Sequence, residues 1–364
     1  MLSSEFPKNS ERLVYSLEKF EDFEQLQKAN SSCSFIGTHS GTFHADEVLA
    51  TFLLKFLPEY NKSIIIRTRN YDILDKCDIV VDVGSKFDPK LKRFDHHMKE
   101  FFEVFDKNEE KIKDIKLSSA GLVWKYLGKD ILIYILKGNN LYEQNKEHLD
   151  EIIKKIYLKF ICMVDAEDNG INALPSNIEP KYIDNTGFSS RIARLNPEWN
   201  SENVDVNSRF KKAWDLAEDE FYYQLMPIAN SYFIAYEIVE NSIQKSIENK
   251  NYDYIILNQY CPWKQILFEI EKKLKIEGKI KFVLLENQNH EFVVNTVPIS
   301  LGSFEFRKGI VKSWRGLREK ELEEKSGLKQ MTFVHASGFI CFTKSLETAL
   351  KVIEKSLNDK DETK

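Results

Sequence analysis

Apolar residues in the first third of the chain come in short runs broken by Gly, Pro or acidic positions. Ser34–Gly37 (SFIG), Ser63–Thr68 (SIIIRT) and Asp78–Gly84 (DIVVDVG) are too short for helices and almost wholly apolar. That is the pattern of strands buried on both faces. Between the first two, Asp46 to Leu57 carries Val48, Leu49, Phe52, Leu53 and Phe56 at helical spacing, with acids in its first turn and Pro58 as a stop. Strand, helix, strand at this spacing predicts βαβ units and a parallel sheet covered on both sides. Further along, Ser118–Gly128 reads as a helix with a Ser cap and a Gly stop, and Leu149–Val164 as a helix with Asp165 at its end. A long helical region from Phe210 to Ile247 leads to three more apolar runs (Tyr254–Asn258, Lys281–Leu285, Glu291–Val297), then FVHASGFICF and a final helix. The chain is thus read as an amphipathic N-terminal extension (1–30), an α/β domain (31–205), a helical linker (206–250) and a smaller α/β C-terminal domain (251–358).

Composition narrows the classes. Of 364 residues, 42% are hydrophobic and 30% charged, which excludes wholesale disorder, and no apolar run approaches the roughly eighteen residues of a membrane span. No membrane partner is expected. The net charge of −5 offers no global basic field for nucleic acid, although a local groove is still allowed. Cys33, Cys77, Cys162, Cys261 and Cys341 are scattered, with no CxxC pair, so neither a disulfide scaffold nor a thiolate zinc site is expected. The N-terminus has neither the apolar core of a secretory signal nor the acid-poor character of a mitochondrial leader, so an intracellular place in cytoplasm or nucleus is expected. There is no P-loop, no GxGxxG after a strand and no GxSxG elbow, so the sequence gives no support to nucleotide-triphosphate, dinucleotide-redox or serine-hydrolase chemistry.

The histidines change the picture. Four of the seven fall between 39 and 97, each at or just beyond a predicted strand end, where open parallel sheets bind ligands. THSGTFHADE places His39, His44 and Asp46 on a loop entering a helix, a set that can converge on one cation or serve as an ordinary polar loop. Asp82 ends an otherwise apolar strand and needs either a partner or a turn to cap. Asp95-His96-His97 follows a short apolar approach. Asp165, with Glu167 and Asp168 in VDAEDNG, is either a ligand or a helix-end acid. Together these mixed nitrogen and oxygen donors suit Mn²⁺ or Mg²⁺ better than structural zinc. Two such ions sharing a bridging carboxylate would generate a hydroxide for in-line attack on a phosphate ester.

The ordered set IGTHSGTFHADE, CDIVVDVGSKFDP, RFDHH, KLSSAGL, VDAEDNGI, RIARLNPEWN, CPWK, WRGLR and FVHASGFI resembles the melanocyte-proliferating-gene (MYG) family of the DHH phosphoesterase superfamily, from Ile36 to the final helix. The resemblance implies a parallel-sheet DHH metal-binding catalytic domain, a helical linker and a smaller substrate-binding domain that closes over the substrate. It implies that His39, His44 and Asp82 hold one ion and that Asp46, Asp82, His96 and Asp165 hold the other, with Asp82 bridging. His44 stands where Asp is commoner in the superfamily, and His is expected there in MYG-like sequences. Asp82, Asp95 and His97 form the implied catalytic group, His97 facing the phosphate. The implied activity is 3′–5′ exonucleolytic hydrolysis of single-stranded RNA to nucleoside 5′-monophosphates, in the nucleus, nucleolus and mitochondria. Arg191, Arg194, Arg315 and Arg318 read as phosphate contacts or as surface ion pairs, Trp314 as a base-stacking ring or an interior aromatic, and His335 with Ser337 as a substrate loop, or His335 as a core histidine. Two other readings are open: a small-molecule phosphatase acting on pyrophosphate, short oligonucleotides or cyclic dinucleotides, and a non-catalytic metal-binding scaffold.

Overall fold

The short apolar runs become neighbouring strands of one sheet in the computed structural model, which describes residues 13–110, 112–175, 177–182 and 185–360. In chain order the first unit, which ends at Asn230, contains β1 (Val14–Ser16), α1 (Phe20–Ala29), β2 (Phe35–Thr38), α2 (Ala45–Leu54), β3 (Ile64–Arg67), α3 (Tyr71–Lys76) and β4 (Ile79–Val81). There follow β5 (Phe87–Asp88), β6 (Arg93–Phe94), α4 (Ser119–Gly138), α5 (Tyr142–Asn145), α6 (Leu149–Ile156), α7 (Cys162–Asp168), α8 (Phe188–Ala193) and α9 (Val206–Pro227). The strands lie in the order β1-β3-β2-β4-β6-β5, parallel throughout except for β5 on the edge. Every residue of β2, β3 and β4 is buried, as their continuous apolar character requires. Helix α2 is buried along its whole length, packed on α4 and α9, which explains its apolar composition beyond a single stripe.

Three sequence expectations for the first unit need correction. Residues 14–29, read as part of an appended extension, belong to the unit. Val14–Ser16 pairs in register with Ile65–Arg67, and Phe23 is fully buried against Phe35, ring edge to face at 5.3 Å. The apolar stripe of that segment packs on one face of the sheet, with Phe35, Ile64, Ile66 and Val80. Residues 1–12 of the expected extension lie outside the described residues. Gly128 does not stop α4, which runs on through Ile131–Leu136 to Gly138. The reason is packing: a Cβ at 128 would lie 3.0 Å from the Trp124 ring. This close approach offsets the cost of about 1 kcal/mol for an interior helical glycine. Finally, Asp165 lies inside α7 rather than at a helix end, because α6 and α7 are joined through a π turn at Tyr157–Ile161.

The second unit begins at Ser231 and contains α10 (Phe233–Glu248), β7 (Tyr254–Leu257), α11 (Trp263–Leu274), β8 (Phe282–Glu286), β9 (Phe292–Thr296), α12 (Glu319–Ser326), β10 (Met331–Val334), β11 (Ile340–Thr343) and α13 (Leu346–Asn358). Its sheet runs β10-β11-β9-β8-β7, with only β7 and β8 parallel. The expected linker of residues 206–250 is divided, α9 belonging to the first unit and α10 to the second, with Pro227 and a π turn at Ile228–Tyr232 between them. Among the described residues no helix is long and apolar enough to cross a membrane.

Candidate metal centre

The loops that leave β2, β4 and β6 at their carboxyl ends open into one cleft of about 810 Å³, the place a parallel sheet offers a ligand. Strand β2 delivers His39, and the first turn of α2 delivers Asp46 and Glu47, all buried. Asp82 follows β4 directly and takes φ 60, a left-handed conformation that Asp and Asn tolerate better than other non-glycine residues. Asp95, His96 and His97 leave β6, and α7 contributes Asp168.

Asp82 is the hub. Its Oδ2 lies 3.3 Å from His39 Nε2 and its Oδ1 3.1 Å from His96 Nε2. His39 Nε2 is also 3.1 Å from Glu47 Oε1. His96 Nε2 is 3.2 Å from Asp168 Oδ2 and 3.9 Å from Asp46 Oδ2. His39, His44, Glu47 and Asp82 thus form one group able to share an ion, Asp82 and His96 join through His97, and Asp46, His96 and Asp168 form another. The neighbouring serines of α4 orient two acids separately: Ser119 Oγ donates to Asp46 at 2.8 Å, and Ser118 Oγ to Asp165 at 2.7 Å.

The donor set fits divalent cations. One proton on His96 Nε2 cannot satisfy three carboxylates, and Asp46 Oδ1 is buried with no hydrogen-bond partner among the described residues. Burial first, then neighbouring carboxylates, pushes Asp168 up to about 9 and Glu47 up to about 8. Asp46 is raised in the same way. Burial alone would lower the pKa of His39, but its bonds to Asp82 and Glu47 outweigh this and hold it at about 10. Burial would likewise raise Asp82, yet the two histidines keep it well below the usual carboxylate range.

These shifts predict a pH dependence. Glu47, Asp168 and His39 hold protons in the fold that the unfolded chain releases at lower pH. Metal-free stability therefore falls as pH climbs from the ordinary carboxylate range toward 8–10, while Asp82's contribution is lost only on strong acidification. A divalent cation binds the deprotonated forms. Mn²⁺ is accordingly expected to raise the melting temperature more at about pH 8.5 than at about pH 6, and equal shifts would contradict the assignment.

The structure brings His39, His44, Asp46, Asp82, Asp95, His96 and His97 to the cleft. It does not bring Asp165, whose Oδ1 instead accepts from Ser118 N, Ser118 Oγ and Gly121 N and so caps α4. Gly121 is required there, because a Cβ would meet that carboxylate at 2.3 Å. Asp168, one turn further along α7, takes the place expected of Asp165. Glu47 joins as well, although its position in a helical first turn reads equally as a capping acid; it accepts the His44 N–H at 2.9 Å. Arg69 and Lys116 also line the cleft; Arg69 carried no sequence signal, and Lys116 only its place at the head of KLSSAGL.

The expected substrate contacts are dispersed. Helix α8 turns Ser189 and Ala193 to the cleft, while Arg191 pairs with Glu220 at 3.3 Å and Arg194 donates to Asn185 O at 2.7 Å. In the second unit Arg315 Nε donates to Ile310 O at 2.9 Å, and Arg318 stacks on Phe333 at 4.3 Å. His335 Nδ1 lies 2.8 Å from Ser337 Oγ in a turn. Of the two readings of Trp314 the interior one holds: it is buried in the core of the second unit.

Comparison with known proteins agrees with the pattern of motifs. The profile of an uncharacterised protein family (UPF0160), labelled as MYG1 exonuclease, matches residues 35–357. The MYG1 protein of Dictyostelium discoideum is 39% identical over 331 residues, covering 90% of this chain and 98% of the relative. The MYG1 exonuclease of Bos taurus is 38% identical over 354 residues, covering 96% and 92%. A crystal structure of exonuclease RecJ bound to manganese aligns over 93% of this chain and 92% of that one at 14% identity, but its TM-score of 0.22 is too low to bear on the fold or the site. Identity of nearly two residues in five along almost the entire length is decisive: the chain belongs to the MYG1 exonuclease family.

Proposed function

We propose that the cleft hydrolyses phosphodiesters with two divalent cations, Mn²⁺ or Mg²⁺, and that its substrate is single-stranded RNA shortened from the 3′ end. The observation that carries the reading is the position of Asp82 between two donor groups, with His39 on one side and His96 on the other. A metal-dependent nuclease is the coarse form of this reading, and the chain's family and its carboxylate–histidine cleft both support it. His39, His44, Glu47 and Asp82 would hold one cation; Asp46, Asp82, His96 and Asp168 would hold the other. Bound there, the cations supply Lewis acidity toward water and a phosphoryl oxygen.

The protein's own residues do the rest. His97 is tethered through Nδ1, which donates to Asp95 Oδ1 at 2.7 Å, while its side chain is 61% exposed and lines the cleft. The Asp95 bond raises the His97 pKa and favours its protonated form, suited to offsetting charge that develops on a phosphoryl oxygen. Arg69, whose Nη2 is 3.4 Å from His39 Nδ1, and Lys116 place two cations on the rim for phosphate oxygens. Arg318 and the His335–Ser337 turn are the contacts proposed for the second unit, whereas the guanidinium groups of Arg191, Arg194 and Arg315 are engaged with groups of the chain itself. Arg69→Ala is expected to raise KM about tenfold with little loss of kcat, because it removes binding shared by substrate and transition state. An unchanged KM would take Arg69 out of the binding site.

The function is tested with 5′-labelled single-stranded RNA, pyrophosphate and a dinucleotide, each with Mn²⁺ or Mg²⁺. A ladder shortening from the 3′ end supports the RNA reading. Cleavage confined to pyrophosphate or the dinucleotide moves the protein to small substrates, and no cleavage at all with metal bound makes it a scaffold.

A further inference from the structure

The stretch RIARLNPEWN lines the cleft only through Ala193, yet it reaches the loop that carries His39 and His44. Asn196 bonds both main-chain groups of Phe43: the Phe43 N–H donates to its Oδ1 at 2.9 Å, and its Nδ2 donates to Phe43 O at 2.8 Å. The same loop has a second anchor in Arg67, the last residue of β3. Arg67 is fully buried, and its Nη2 donates to Gly41 O at 2.6 Å. Its guanidinium lies 5.6 Å from the Phe43 ring and 4.9 Å from the ring of Phe210 on α9. Nε and Nη1 have no hydrogen-bond partner among the described residues. A buried guanidinium left so incompletely bonded is costly in solvation, so its place calls for a return.

That return is visible in what lies between the two imidazoles. Gly41 takes φ +95, in the left-handed region open to glycine at little cost. A loop of this kind, left to itself, samples many backbone states, each changing the separation of His39 and His44. Here Gly41 and Phe43 are both fixed from outside the loop, by β3 and by the segment after α8. The two rings end 5.5 Å apart.

We infer that Asn196 and Arg67 are positioning residues, which hold the His39–His44 loop in the form that binds one of the two cations without touching the cation themselves. The inference rests on the metal reading given above. Metal ligands keep their geometry through such outer contacts, and losing one typically weakens affinity about 10- to 100-fold.

The test is calorimetric titration of Mn²⁺ into the metal-stripped full chain, beside circular dichroism. Asn196→Asp is the sharpest variant, because it keeps an acceptor for the Phe43 N–H but turns a second carboxylate oxygen on Phe43 O. Arg67→Met, which loses the Gly41 bond and keeps an apolar stem beside the Phe43 and Phe210 rings, is the second. The expected result is a wild-type dichroism spectrum with one of two Mn²⁺ sites weakened about 10- to 100-fold and the other unchanged. A purely structural role would lower the melting temperature and leave both Mn²⁺ affinities of the folded protein as they were, which overturns the inference. Failure of the wild-type protein to bind Mn²⁺ overturns the metal reading itself, and this inference with it.

Discussion

Asp82→Asn is expected to abolish hydrolysis, lowering kcat by about 10³-fold or more, the scale on which a preorganised electrostatic group acts. Asparagine is the right replacement. It fills the same volume and accepts φ 60, where alanine would add backbone strain to the loss of charge. It removes the charge that draws His39 Nε2 and His96 Nε2 toward each other from opposite sides at 3.3 and 3.1 Å. Both proposed cations lose a ligand at once, so Mn²⁺ titration should show both sites weakened. A variant that keeps wild-type activity on labelled RNA would place the chemistry elsewhere.

The second large effect separates two acids three residues apart. Asp168→Asn is expected to lose most activity and one bound Mn²⁺, because its carboxylate faces His96 in the cleft. Asp165→Asn should behave nearly as wild type, because all three bonds to Asp165 arrive at Oδ1, which asparagine retains. Asp165→Ala leaves three buried donors without an acceptor. It should cost about 3 kcal/mol of stability, roughly 6–12 °C in the melting temperature of a unit the size of the first. Were Asp165→Asn inactive and Asp168→Asn active, the assignment of these two residues would be reversed.

That pair also shows where the sequence stops being readable. The parallel strands β2, β3 and β4 are legible because burial on both faces leaves a short, unbroken apolar run, which a half-exposed strand or an amphipathic helix does not produce. The histidines are legible because they cluster at the ends of those strands. Asp165 and Asp168 stand one helical turn apart on the same face, and periodicity assigns them no distinct roles. Only the packing of α7 against α4 separates a cap from a cleft acid. Glu47 presents the same ambiguity, since a first-turn acid caps a helix whether or not it also faces a cation. Gly128 misleads because its local meaning as a stop yields to the Trp124 ring lying against it. Arg69 gives no signal and Lys116 none beyond its place in KLSSAGL, for a basic residue at a strand or loop end looks like any solvated side chain until the cleft is closed around it.

The central claim, that the His39–Asp82–His96 cleft is a two-cation centre, is met most directly by anomalous X-ray scattering from crystals grown with Mn²⁺. The account predicts two peaks with Asp82 between them, one beside His39, His44 and Glu47 and the other beside Asp46, His96 and Asp168. A manganese peak at Asp165, or none in this cleft while one appears elsewhere on the chain, would contradict it.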